Sequence, residues 1–179
     1  LITTTGATFT GNIATKGISA VTAGTSNFVA GVNAGNSITS GGNYNTTVGD
    51  EAGTAITTGD NNVAVGYSAL AANTTASNNT AVGQAALTSN TTGTGNTAVG
   101  KNALDANISA SNVTAVGLNA LGSNTTGANN TAVGTASLGS NTTAGKNTAF
   151  GYASLNANTT GTRNTAVGDN SLVANTTGN

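Results

Sequence analysis

A 17-residue repeat dominates the sequence and limits the folds that it can adopt. From Asn45 to Asn179 the consensus N-T-A-V-G-x-x-A-L-x-x-N-T-T-G-x-x runs through eight copies without insertion or deletion. A glycine, a leucine and an asparagine mark its fifth, ninth and twelfth positions. These are Gly49, Gly66, Gly83, Gly100, Gly117, Gly134, Gly151 and Gly168; Leu70, Leu87, Leu104, Leu121, Leu138, Leu155 and Leu172; and Asn73, Asn90, Asn107, Asn124, Asn141, Asn158 and Asn175. Such regularity predicts a solenoid in which each unit contacts its neighbours.

The N-terminal part departs from this register. Residues 27–44 fit an 18-residue unit, with Gly31 in the glycine position and Ile38 in the place that Ile56 takes one unit later. Residues 1–26 do not follow the repeat, and terminal units of solenoids are often atypical. We therefore expect a lead-in strand or cap over 1–26, a degenerate first coil over 27–44, and eight repeats over 45–179.

The composition of the repeat favours strands and turns over helices. Its apolar positions (3, 4, 8 and 9) do not fit a 3.6-residue period, and its Gly, Asn and Thr residues are poor helix formers. Thr and Val are common in strands. We predict two short strands per unit, one over T-A-V and one from A-L to N-T-T, with Gly and Asn at the corners.

Identical residues are expected to stack on one another in successive coils. The sequence has no Asn-Gly pair, the strongest hairpin signal. Parallel coils would rise about 4.8 Å each, so that nine coils form a rod about 43 Å long. The predicted fold class is therefore all-β, a parallel β-solenoid or β-roll, with the twelfth-position asparagines forming a ladder.

We expect valine and leucine to fill the core of each coil. In T-A-V, alternation places Thr and Val on one face and Ala on the other. Phe150 takes one valine position and is assigned to the core as well. The predicted core valines are Val48, Val65, Val82, Val99, Val116, Val133 and Val167.

Two large side chains per coil bury little apolar surface against the entropy of ordering 17 residues. The alanine of T-A-V, kept in nearly every copy, indicates a second close contact. We therefore infer that the alanine face is covered by neighbouring chains, with a homotrimer as the preferred arrangement.

Charge and residue types exclude several functions. Charged residues make up 5% of the chain, against roughly 25% in typical proteins, and His and Cys are absent. No Ser-His or Cys-His nucleophile can be built, so we expect no enzyme and no cofactor. Four cations are too few for a nucleic-acid surface, and no apolar run reaches the roughly 20 residues of a membrane span. The sequence shows no signal-peptide pattern, and from its start at Leu1 we expect a fragment or a processed product.

Three groups of side chains are candidate sites. Asp50, Glu51 and Asp60 are near enough to face each other on adjacent coils, where a single metal ion is conceivable; we prefer solvated surface charges. Tyr67 and Tyr152 occupy a variable, solvent-facing position and are possible glycan contacts, although plain surface variation explains them too. The N-T-T tracts spell N-glycosylation acceptors, for which a structural ladder is the preferred explanation. Those quoted are Asn73, Asn90, Asn124, Asn141 and Asn158.

At N-T-A-V-G-x-x-A-L the sequence resembles two related families. It is similar to the β-roll heads of YadA-type trimeric autotransporter adhesins, and closer to the N-T-A-[VI]-G-x-x-A-L repeats of phage tail fibres and related surface proteins. The match covers 27–179, although the 17-residue period is longer than that of the adhesin heads. The resemblance implies a homotrimer located extracellularly, on a virion tail or a bacterial surface.

The leading hypothesis for function is a structural and adhesive fibre segment that spaces or presents a receptor-binding region. Its expected partners are copies of itself, and cell-surface glycans are a further candidate at the tyrosines. Two alternatives remain open. One is a self-assembling extracellular filament; the other is an ice-binding solenoid, weakened here because the adjacent threonines of N-T-T point to opposite faces.

Overall fold

The computed structural model describes residues 2–3, 6–7, 18–19 and 24–179, and in this part of the chain the regular elements are strands. Three strands lie in the N-terminal segment, and nine more follow at the repeat spacing. They are β1 Ile2–Thr3, β2 Gly6–Ala7, β3 Ile18–Ser19, β4 Phe28–Ala30, β5 Thr46–Val48, β6 Val63–Val65, β7 Thr80–Val82, β8 Thr97–Val99, β9 Thr114–Val116, β10 Thr131–Val133, β11 Thr148–Phe150 and β12 Thr165–Val167.

Strands β4 to β12 form one continuous parallel sheet in chain order. Each residue pairs with the one a full coil away, as in Thr97 with Thr114 and Ala98 with Ala115. Between β4 and β5 the offset is 18 residues, with Phe28 opposite Thr46. The predicted parallel β-solenoid, with about 17 residues per coil, is confirmed.

The N-terminal segment adds a different kind of pairing. Strand β3 lies antiparallel beside β4, and β1 pairs antiparallel with β2 in a separate sheet. Most of the predicted lead-in segment over 1–26 lies outside the described residues. What is described places an antiparallel strand on the outer edge of the first coil.

The second predicted strand of each coil is absent from the repeats that the structure describes. The stretch from A-L to N-T-T forms turns instead, because the seventh and ninth residues of the repeat have left-handed backbone conformations. In one coil these are Asn102, with φ 54°, and Leu104, with φ 53°. The turns still bond between coils, since the Leu104 N–H donates to the Ala120 carbonyl at 3.1 Å. A buried leucine in this conformation is uncommon, and the stacking of coils on both sides holds it there.

The faces of T-A-V are the reverse of those predicted. Ala98 and Ala115 are fully buried, whereas Val99 is 37% exposed and Phe150 42% exposed. The remaining predicted core valines are half-buried or, at Val167, exposed. From the coil of Leu70 onward the interior already holds a leucine and polar side chains, so the small alanine is the residue that points inward. The alanine is therefore covered by its own chain, and its predicted contact with neighbouring chains is wrong.

The leucines lie inside the solenoid. The ninth-position leucines from Leu70 to Leu155 are fully buried, while Leu172 in the last coil is 50% exposed because no coil covers it. The first two coils fill the same space differently. Glycine stands in the leucine position, at Gly35 and Gly53, and Ile38 and Ile56 are buried where later coils carry asparagine.

The corner glycines allow the coils to approach each other. Gly117 has φ +133°, a value that residues with a side chain rarely adopt, and a Cβ there would lie 2.6 Å from the Gly134 carbonyl group. The corner glycines from Gly49 to Gly151 make the same close contact with the next coil. The glycine column is therefore required both by backbone conformation and by the spacing between coils.

Replacing the corner glycine Gly117 should be far more costly than replacing Gly122 in the same coil. We expect Gly117→Ala to destabilise the protein by about 2 kcal/mol or more, measured as a lower midpoint of guanidinium unfolding followed by circular dichroism. Gly122→Ala is the control, since Gly122 lacks a positive φ and its Cβ would have no neighbour closer than 3.3 Å. Equal effects of the two changes would contradict this account of the corner.

Candidate functional site

The carboxylates of Asp50, Glu51 and Asp60 bond to separate partners and do not meet at one site. Asp50 accepts a hydrogen bond from the Val32 N–H at 3.0 Å, and Asp60 accepts one from the Asn43 N–H at 2.7 Å. Glu51 lies 3.2 Å from the Ser68 hydroxyl. Among the described residues no group of three or more His, Cys, Asp or Glu side chains could hold a metal ion. Asp50 and Asp60 thus join the 18-residue coil to the first regular coil, and Glu51 joins that coil to the next one.

The twelfth-position asparagines form a ladder through the interior. Asn107 Nδ2 donates to Asn90 Oδ1 in the preceding coil at 2.8 Å and to the Ala110 carbonyl in its own coil at 3.2 Å. The same pair of bonds recurs up to Asn175. Both amide protons are used in every rung, so these buried polar groups meet their hydrogen-bonding needs.

A second interior ladder was not anticipated from the sequence. The first-position asparagine of each coil accepts a hydrogen bond from the backbone N–H one coil later, as when Asn79 Oδ1 accepts from Asn96 N–H at 3.0 Å. Each of these asparagines also donates from Nδ2 to a carbonyl on the other side of its own coil. Asn96 Nδ2, for example, donates to the Ala110 carbonyl at 2.8 Å. The Ala110 carbonyl thus accepts from both ladders. The 17-residue recurrence of this asparagine was the signal that could have revealed it.

One rung of the second ladder is missing. Val113 is fully buried in the first position, and it carries no amide oxygen to accept from the Asn130 backbone N–H. The rungs on either side are intact, from Asn96 Oδ1 to Val113 N–H at 3.0 Å and from Asn130 Oδ1 to Asn147 N–H at 2.9 Å. The junction between these two coils therefore lacks one amide–backbone bond that the junctions on either side of it have.

The twelfth-position ladder also buries the asparagines of the N-T-T sequons. Asn73, Asn90, Asn124, Asn141 and Asn158 are fully buried, and their Nδ2 atoms donate within the interior. Asparagine must present this nitrogen to solvent to carry a glycan. The folded solenoid therefore has no room for sugars at these five positions, in agreement with the preferred structural explanation.

The two tyrosines are exposed and far apart. Tyr67 is 54% exposed and Tyr152 is 58% exposed, in the same column but five coils apart. At about 4.8 Å per coil they are separated by about 24 Å along the axis. They cannot clamp one sugar ring between them, and any glycan contact would involve each tyrosine separately.

The outer face of the parallel sheet is a regular surface that repeats from coil to coil. It consists of the second and fourth residues of each coil, and we call it the T-x-V face. Its residues are Thr46, Val63, Thr80, Thr97, Thr114, Thr131, Thr148 and Thr165, with Val48, Val65, Val82, Val99, Val116, Val133, Phe150 and Val167. All are half-buried or exposed, and none carries a charge. Over the eight strands β5 to β12 the face is about 34 Å long, with rows of methyl and hydroxyl groups.

The comparisons with known proteins add no relative. No protein-family model matches the chain, and no curated protein or solved structure shows significant similarity to it. Among the described residues, no helix is long and apolar enough to span a membrane. What the structure defines is thus the class of the protein, a parallel β-solenoid with two interior asparagine ladders.

Restoring the missing rung should stabilise the solenoid. We expect Val113→Asn to raise the free energy of unfolding by about 1 kcal/mol, because the new amide oxygen accepts from the Asn130 N–H. The matched control is Asn130→Val, which makes the opposite change in the same column and should lower the unfolding midpoint. A destabilising effect of Val113→Asn, measured in the same denaturant titration, would show that the rung is not what this position lacks.

Proposed function

We propose that this chain is a structural and adhesive segment of an extracellular fibre, on a virion tail or a bacterial surface, that spaces or presents a receptor-binding region. The observation that supports it most is the T-x-V face, an uncharged and partly apolar surface that runs along strands β5 to β12. The repeat resembles those of phage tail fibres and of trimeric adhesin heads. The described residues contain no cluster that would suggest catalysis instead.

The architecture suits a shaft. Backbone bonds of the sheet, bonds between turns and two interior ladders all link each coil to the next. These links are parallel to the axis and repeat at every coil, so bending requires several of them to distort together. A rod of this kind holds its ends at a fixed separation.

The proposed assembly is a homotrimer in which the T-x-V faces meet around a common axis. Val116 and its equivalents in other coils present partly exposed apolar side chains, and soluble proteins rarely leave such a long apolar strip uncovered. The absence of charge removes repulsion between copies. The number three follows from the family resemblance, and the choice of face follows from the outward direction of the valines.

The assembly is tested by the mass of the native particle, measured by light scattering after size exclusion. We expect three times the chain mass of 16.9 kDa for the wild type, and a single chain for Val116→Asp, because the charge would be buried at the interface. Leu118→Asp is the control, since Leu118 is 44% exposed in the same coil but lies off the face. A wild type of single-chain mass would overturn the trimer.

Ice binding is the second candidate, and the T-x-V face favours it more than the N-T-T tracts do. Threonine and valine alternate with an inward alanine, so their side chains share one flat face with a regular spacing between coils. Such rows of methyl and hydroxyl groups could order water molecules. A trimer interface would cover the same rows, so the two candidates exclude each other on this face.

Thermal hysteresis measures the second candidate directly. If it holds, the wild type should lower the freezing point below the melting point, and Thr114→Leu should reduce the gap severalfold by breaking the hydroxyl row. Thr126→Leu, at an exposed position off the face, should leave it unchanged. No hysteresis in the wild type would remove ice binding from consideration.

A head-to-tail filament receives less support. Strand β3 already occupies the outer edge of β4, where an incoming last coil would have to pair. Gly35 and Ile38 would meet Leu172 and Asn175, so neither the leucine stack nor the ladder would continue across the joint. Material that elutes in the void volume in the mass measurement would reverse this judgement.

A further inference from the structure

A polar groove of about 390 Å³ opens on a side of the solenoid away from the T-x-V face. Its floor is formed by Gly122 and Gly139, which take the tenth position in two consecutive coils. Asp105 and Asn156 take the same position in the coils on either side, and both line the groove. The gap in this column therefore makes a recess two coils tall with a polar side chain at each end.

The backbone does not require these two glycines. Neither has a positive φ, and the same column carries threonine at Thr88. A Cβ on Gly122 would lie 3.3 Å from Asp105 Oδ1, and one on Gly139 would lie 2.7 Å from Asn156 Nδ2. The two polar side chains thus lean into the space that the missing side chains leave.

Hydrogen bonds within the wall fix the direction of its amides. Asn102 Nδ2 donates to Asn119 Oδ1 at 3.1 Å, which leaves the Asn119 amino group available to an incoming ligand. Asn156 Nδ2 donates to the Ala136 carbonyl at 2.8 Å, which leaves the Asn156 oxygen available. The groove thereby offers one oriented donor and one oriented acceptor on opposite sides.

The remaining wall is hydroxylated and carries a single negative charge. Ser123 and Ser140 line the groove beside the Asp105 carboxyl, and no cation is among its lining residues. Partial burial raises the pKa of the Asp105 carboxyl, while the backbone N–H groups of Asp105 and Ala106 act in the opposite direction. A ligand with many hydroxyl groups and no negative charge matches these groups.

We propose that this groove binds one neutral sugar unit of a glycan, with Asp105 and Asn156 accepting hydrogen bonds from sugar hydroxyls and Asn119 donating one. The choice of a glycan rests on the proposed function, since a surface fibre segment meets cell-surface sugars; the shape and polarity of the groove do not depend on it. Because the groove lies on the seventh, tenth and eleventh positions, a trimer joined through the T-x-V faces leaves it open.

The test is titration of the ¹⁵N-labelled protein with glucose, galactose, mannose and N-acetylglucosamine, followed by amide chemical shifts. At least one sugar should shift the Ser123 and Ser140 amide signals in a saturable way, and glucuronic acid should bind more weakly than glucose because of Asp105. Gly122→Thr should weaken binding at least tenfold by filling the recess, and Asp105→Asn should weaken it as well.

Ala71→Thr is the matched control, because it adds the same side chain in the same column three coils away from the floor at Gly122. It should bind as the wild type does. No saturable shift with any of the four sugars, or equal binding by Gly122→Thr, would overturn the proposal. The particle mass of the same samples is measured separately, so a failed sugar site and a failed fibre assembly give different results.

Discussion

The interior amides are the interaction on which the rest of the solenoid depends. A coil of 17 residues with one leucine encloses too little apolar volume to close on itself, and asparagines occupy much of the remaining space. A buried amide without partners is costly, but from Asn90 onward each amide of the twelfth-position ladder reaches one acceptor in the preceding coil and one in its own, as at Asn107. This arrangement works only if every coil has the same length and register, which accounts for the strict period.

Much of this architecture could be predicted from the sequence, because stacking converts sequence period directly into spatial contact. The coil length, the corner at Gly117 and the ladder through Asn107 all follow from residues that recur at one spacing. The orientation of T-A-V did not follow. Alternation shows that Thr114 and Val116 share a face, but not whether that face points inward. The direction is set by the width of the interior. Beside the leucine and the two asparagines of a coil there is room for alanine and not for a larger side chain.

The two surface features also differ in how far the repeat predicts them. The T-x-V face could have been found as a stripe in the repeat, once its direction was known. The groove at Gly122 and Gly139 departs from the repeat, and its shape depends on how Asp105 and Asn156 lean over the gap. The two surfaces divide the molecule into a regular side suited to self-contact and an irregular side where individual coils can differ without disturbing the stack.

The missing rung at Val113 changes how the bonds between two coils share a pulling force along a fibre. The bonds between coils are parallel to the axis, so a pull on the two ends loads all junctions in series with the same force. Within one junction the bonds share that force, so a junction without its amide bond places more of the load on the bonds that remain. At the coils of Val113 and Asn130 that load falls on the turns and on the twelfth-position ladder, where Leu121 N–H donates to Ser137 O at 3.0 Å and Asn141 Nδ2 donates to Asn124 Oδ1 at 2.8 Å.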